Sequence, residues 1–117
     1  MSYTISDLST AVLRHLAVVD AAETPASVDA TYVQDVWRAK WEEIAGHGNE
    51  LTYFSYDDIP NPVFLIIRDL VANEVSGAFG QPKAVAEKET EEIVVLRRLR
   101  RHLATPTTDL PTKAVFY

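Results

Sequence analysis

The stretch from Asn61 to Pro82 constrains the fold more than any other part of the chain. Asn61 can cap a helix, and Pro62 suits the first helical position, where its missing N–H removes a donor that lacks an intrahelical partner anyway. Val63, Ile67, Leu70, Val71, Val75 and Ala78 recur at helical spacing as one apolar face, and Gly80 with Pro82 stops the helix. So apolar a helix has to be covered by other elements, which predicts a central core helix. Its longest unbroken apolar run, Val63 to Ile67, is five residues. Crossing a bilayer takes roughly 20, so no membrane partner is expected.

Three further helices are predicted around it. The first follows Ser6 as its cap and places Leu8, Val12, Leu13 and Leu16 on one side. Residues 18–25 break the period at Glu23-Thr24-Pro25 and read as a loop, since proline disfavours helix in the preceding residue. The second runs from Ser27 to Gly46, with Val33, Trp37, Trp41 and Ile44 in a narrow arc, Val36 beside them, and Gly46 or Gly48 as the stop. Trp37 and Trp41, four apart, read as core side chains. The last runs from about Lys83 to Leu103 and turns Val85, Ala86, Ile93, Leu96 and Leu103 inward. Its glutamates, 87, 89, 91 and 92, come early and its arginines, 97, 98, 100 and 101, come late, following the helix dipole.

Between helices two and three, Leu51–Tyr56 is aromatic-rich and reads as a short extended piece or a loop, ended by Asp57-Asp58-Ile59-Pro60. An isolated strand needs a partner for its backbone, so this segment requires one if it is extended. The expected fold class is all-α: a small bundle of about four helices with an extended C-terminal tail and room for a short β-element near 51–56. The 117 residues, 47% hydrophobic, suit one domain. Residues 1–104 form it and 105–117, polar with two prolines, form the tail. Cysteine is absent, so disulfide scaffolds and thiolate metal sites are excluded. The N-terminus has no basic region or apolar signal core, from which a cytoplasmic site of synthesis is expected.

Catalytic and cofactor chemistry find little to build on. His15, His47 and His102 are far apart and none sits three or four residues from another, so no metal is expected. No phosphate-cradling glycine loop, dinucleotide fingerprint or Gly-x-Ser-x-Gly occurs; no cofactor and no enzymatic activity are expected. Asp57-Asp58 reads as a turn or helix-start pair rather than acid–base machinery.

Charge is more informative. The chain carries −6 overall, which argues against general nucleic-acid binding. Residues 1–60 hold 10 acidic and 3 basic side chains, net −7, whereas residues 61–117 hold 7 and 8, net +1. Arg97, Arg98, Arg100 and Arg101 spread around their helix at 100° per residue instead of forming a stripe, which suits a protein contact better than a nucleic-acid groove. The tail ends Ala114-Val115-Phe116-Tyr117, apolar area that water does not reward. Leu110, Pro111, Val115, Phe116 and Tyr117 therefore read as docking residues, weak singly and firm when many copies act together.

The order of these features resembles the head-to-tail connector or adaptor proteins of tailed bacteriophages and gene-transfer particles. Ala11-Val12-Leu13-Arg14-His15-Leu16-Ala17-Val18-Val19 looks like that family's opening-helix exit. Ala22-Glu23-Thr24-Pro25-Ala26-Ser27-Val28-Asp29 is similar to its Glu-Thr-Pro loop and second-helix start. Trp37 to Gly48, then Ile59-Pro60 opening the segment through Phe79-Gly80, resemble its Trp-rich second helix and Ile-Pro-initiated third. The resemblance covers about residues 5–104. It implies an α-helical bundle, a cyclic ring of about twelve copies in the virion neck, portal and tail or stopper proteins as partners, and DNA passing through the channel without sequence-specific contacts. With the charge split it makes Asp35, Glu42 and Glu43 against Arg97, Arg98, Arg100 and Arg101 the expected subunit interface. The alternative is a small helical DNA-binding or packaging protein that uses the 97–101 cluster.

Overall fold

A computed structural model describes residues 2–20, 23–46 and 53–104, with side chains to residue 102. The order is β1 (Ser2–Tyr3), α1 (Ile5–His15), α2 (Ser27–Gly46), β2 (Ile59–Pro60), α3 (Asn61–Val75), a 3₁₀ turn (Ser76–Phe79) and α4 (Val85–Ala104). The fold is all-α, with α3 in the middle, touching α1, α2 and α4. Leu8, Val12 and Leu13 of α1, Leu16 at its C-terminal cap, and Val33, Trp37 and Ile44 of α2 are buried in one core with Val63, Ile67, Leu70, Val71 and Val75 of α3.

Helix starts are set by chemistry more specific than spacing. The cap of α1 is Thr4, not Ser6: its Oγ1 accepts the Asp7 N–H at 3.1 Å and the Asp7 carboxylate accepts the Thr4 N–H at 3.0 Å. This reciprocal pair satisfies two orphan donors where Ser6 would satisfy one. Asp57 adds a third acceptor, taking the Ile5 N–H at 2.9 Å. The helix-start role read for Asp57 is thus real, but it serves α1 across the fold. Asn61 is already helical; extended Pro60 holds the α3 cap position without a side-chain hydrogen bond. Ile59-Pro60 pairs antiparallel with Ser2-Tyr3, which holds the chain extended up to that point.

The β-element therefore lies at 59–60 rather than 51–56; residues 51 and 52 fall outside the described set, and 53–58 form an irregular loop with a turn at 56–57. Two tryptophans explain why that loop needs no strand partner. Trp37 Nε1 donates to the Tyr56 carbonyl at 2.8 Å and Trp41 Nε1 to the Phe54 carbonyl at 3.0 Å. Indoles four residues apart, about 6 Å along the helix axis, thus meet carbonyls two residues apart in the loop. Trp37 is fully buried and Trp41 partly so, and both are core and loop anchor together.

Left-handed residues end α1 and the 3₁₀ turn that follows α3. Gly80 (φ 81) ends the 3₁₀ turn, as its spacing predicts. The tightening from α to 3₁₀ at Ser76 shifts the helical phase, and this puts Ala78 on the exposed side instead of the core face. After α1 the left-handed position falls on Ala17 (φ 60), where the Ala17 N–H bonds the Arg14 carbonyl and the Val18 N–H the Leu13 carbonyl. These two bonds define a Schellman exit that normally takes glycine. No helix among the described residues is long and apolar enough to cross a membrane.

Candidate functional site

The register of α4 differs from the one its apolar spacing predicts, and the difference creates the candidate site. Val95 and Leu99 are buried and Leu96 is partly buried, whereas Val85 (74%), Ile93 (55%), Val94 (43%) and Ala86 are exposed. The side chain of Leu103 is outside the described set. Polar residues decide the rotation. Glu92 sits on the inward side and meets Lys40 Nζ of α2 at 3.3 Å, while Lys88 meets Glu74 of α3 at 3.6 Å. Asn73, buried in α3, donates to the Lys88 carbonyl at 3.0 Å. A count of apolar residues alone misses a face that is half ionic.

Lys40 is the hub of this face. Its ammonium, almost fully buried, lies 3.1 Å from Glu74 and 3.6 Å from Glu43, so α2, α3 and α4 are joined at one cation. Burial opposes its charge, but the hydrogen bond to Glu74 and the surrounding carboxylates outweigh that and raise its pKa above the ordinary 10.5. Burial likewise opposes the Glu74 carboxylate, and Lys40, then Lys88, outweigh it to hold its pKa below 4.5.

A second ionic cluster joins α1, α3 and α4 at Asp69. Arg98 Nη1 and Arg68 Nη2 each lie 2.8 Å from it, and His15 Nε2 lies 3.9 Å away. Burial opposes the Asp69 charge, and the hydrogen bonds from Arg98 and Arg68 overcome it and lower the pKa. One of the four clustered arginines is thereby committed to holding the fold. The cleft beside it, about 360 Å³, is lined mostly by polar groups, several of them hydrogen-bonded to one another or to nearby backbone. Gln81 donates to the Leu16 carbonyl at 2.6 Å and Lys83 to Asn73 Oδ1 at 2.9 Å. Among the described residues no three His, Asp or Glu side chains gather as metal ligands would.

What remains outward is distinctive. Arg97 and Arg100 are exposed on the same side of α4 as Ile93 and Val94. Arg101 is also exposed and has an interaction of its own. On α2, Asp35 and Glu42 are exposed two turns apart on one stripe. Among the described residues Asp35 pairs with Arg38 of its own helix, at 3.4 Å, while Glu43 is drawn toward Lys40. Val28 (78%) and Tyr32 (43%) continue that stripe toward the start of α2. The sequence-predicted interface thus resolves into Asp35 and Glu42 on one outer face and Arg97 and Arg100 on another, with Arg98 turned into the fold. Exposed apolar partners on both faces were not legible in advance. Leu110, Pro111, Val115, Phe116 and Tyr117 lie outside the described residues. No family model, curated protein or solved structure matches this chain.

Proposed function

We propose that this protein is a structural virion component, a head-to-tail adaptor that forms a ring between the portal and the tail or stopper, with a central channel for genome DNA. The observation that carries the reading is a pair of outer helix faces, one presenting Asp35 and Glu42 on α2 and one presenting Arg97 and Arg100 on the C-terminal half of α4, each carrying exposed apolar side chains. Two unlike faces on one small body suit repeated head-to-tail contacts that close into a ring. The resemblance in the order of helices, the Glu-Thr-Pro loop and the Ile-Pro junction supports the same reading. In it the tail residues Leu110, Pro111, Val115, Phe116 and Tyr117 dock on the portal or a neighbouring protein, and the protein catalyses no reaction.

The DNA-binding alternative draws on Arg97 and Arg100, which point to solvent. Arg98, neutralised by Asp69, is lost to it. A duplex gel-shift across a salt series separates the two. A DNA binder shifts the duplex at low salt and loses affinity steeply as salt rises. The adaptor leaves the duplex unshifted and co-sediments with purified portal, and loses that binding when residues 114–117 are deleted. A salt-sensitive duplex shift with no portal binding overturns the adaptor reading.

A further inference from the structure

The four helices are not held equally. Helices α1, α2 and α3 each pack against both of the others, whereas α4 packs closely on α3 alone among the described elements. Of its described side chains only Val95 and Leu99 are buried and apolar, with Leu96 partly buried, so the rest of its attachment is polar. Glu92 meets Lys40 at 3.3 Å and Lys88 meets Glu74 at 3.6 Å; the Lys88 carbonyl accepts from Asn73 at 3.0 Å, and Arg98 meets Asp69 at 2.8 Å. Each charge on the other side of these contacts has a second partner within α1–α3. Lys40 and Glu74 keep each other, Lys40 also keeps Glu43, and Asp69 keeps Arg68. Lifting α4 away therefore orphans no buried charge, which is what makes breaking a buried pair costly. The chain leading into α4 is fixed instead. Gln81 donates to the Leu16 carbonyl at 2.6 Å and Lys83 to Asn73 Oδ1 at 2.9 Å. Ala84, the first residue past these clamps, is exposed and gives its N–H to Glu87 of α4 at 3.3 Å.

We propose that α4 is a detachable strap: it opens as a unit about Ala84 while α1–α3 and the β1–β2 pair stay folded, and the contacts of Glu92 and Arg98 latch it shut. Opening gives up Val95, Leu99 and charges that water can solvate again, whereas unfolding the body gives up the whole core around Leu8, Val12, Trp37 and Ile67. The strap therefore opens far more often than the body unfolds. Opening carries every residue after 84 away from the body, residues 110–117 included, and releases Arg98 from Asp69. It goes beyond the adaptor reading and holds with or without it.

The chain has no cysteine, so one introduced thiol reports exposure at one place. Val95→Cys in α4 and Val12→Cys in α1 are mild exchanges at sites 1% and 0% exposed. Labelling of the full chain by a thiol reagent, slow enough that reclosing outpaces it, reads the open fraction. The thiol at position 95 labels at least about tenfold faster than the thiol at position 12, and its rate climbs less steeply with urea because less surface opens. Val33→Ala, buried in the body away from α4, speeds labelling at position 12 at least about tenfold and leaves position 95 within about twofold. Glu92→Gln with Arg98→Met leaves every charge of the body partnered and speeds labelling at position 95 at least about tenfold. Equal rates and urea slopes at the two positions, Val33→Ala speeding both alike, or latch variants that leave position 95 unchanged overturns the proposal. Hydrogen exchange on the unaltered chain decides the matter if a cysteine variant fails to fold. Helix stability in a folded chain comes mostly from packing, so amides 95 and 99 exchange at least about tenfold faster than amides 12 and 13, with the shallower urea slope. Equal protection and slope in the two helices overturns it as well.

Discussion

The rotation of α4 is tested by a matched pair of truncations. Leu99 is 1% exposed and packs into the core, whereas Ile93 on the same helix is 55% exposed. Leu99→Ala removes three carbons worth about 0.8 kcal/mol each in transfer free energy and leaves a cavity that α3 cannot fully close, for a loss of about 3 kcal/mol. Ile93→Ala gives up less than half a side chain of contact, partly offset by the better helix propensity of alanine, for a loss under about 1 kcal/mol. At about 4 °C per kcal/mol for a chain of this size, the melting temperature falls by roughly 12 °C in the first and by about 4 °C or less in the second. Urea denaturation followed by circular dichroism gives both values, with similar slopes expected. If Ile93→Ala costs as much as Leu99→Ala, or Leu99→Ala costs nothing, then α4 presents the face its apolar spacing suggests and the outer patch does not exist.

Ala17→Gly is expected to stabilise the fold by about 0.5–1 kcal/mol. It relieves a left-handed penalty of about 1–2 kcal/mol and gives some of it back as chain entropy, so a lower melting temperature would contradict the Schellman exit. Lys40→Met should cost about 1–3 kcal/mol at pH 7 by leaving Glu74 and Glu92 facing each other, and the loss should shrink at a pH well below the ordinary 4.5 of Glu74, where the Lys40–Glu74 pair of the wild type is itself lost. An equal loss at both pH values, measured by denaturation, would mean that packing of the Lys40 stem and not its charge is what matters. Asp69 and Glu74 have folded pKa values below their ordinary 3.8 and 4.5, so their contribution is complete above those values and lost as pH falls further. Lys40, raised above 10.5, contributes fully below that value and loses its contribution as pH rises beyond it. A stability profile flat between about pH 5 and 10, with an acid limb that softens in Glu74→Gln, is the expected result. Stability that rises below pH 4 would contradict it.

Where apolar residues alone decide the structure, sequence reasoning succeeds. The span Ser27–Gly46, the inward side chains of α1 and the left-handed stop at Gly80 follow from period and from glycine chemistry. Where polar groups decide, it fails for identifiable reasons. The inward side of α4 includes Lys88 and Glu92, whose partners Glu74 and Lys40 lie 14 and 52 residues away, so no local pattern marks them as buried. Thr4 outcompetes Ser6 because Asp7 completes a reciprocal pair, a signal present as Thr-x-x-Asp but less familiar than the glutamate form. Trp37 and Trp41 are legible as core; their indole N–H groups holding residues 54 and 56 are not, because that bond depends on where a distant loop passes. Of the candidate site, the charges of Asp35, Glu42, Arg97 and Arg100 were legible. The exposed Ile93 and Val94 beside the arginines, and the loss of Arg98 to Asp69, follow from the rotation of α4.

The adaptor reading is tested most directly by imaging assembled particles by electron microscopy with this protein tagged on its exposed β1 end. The account predicts density in a ring at the neck, between portal and tail or stopper. Particles whose necks lack it, with the protein recovered as dispersed monomer, would contradict the account.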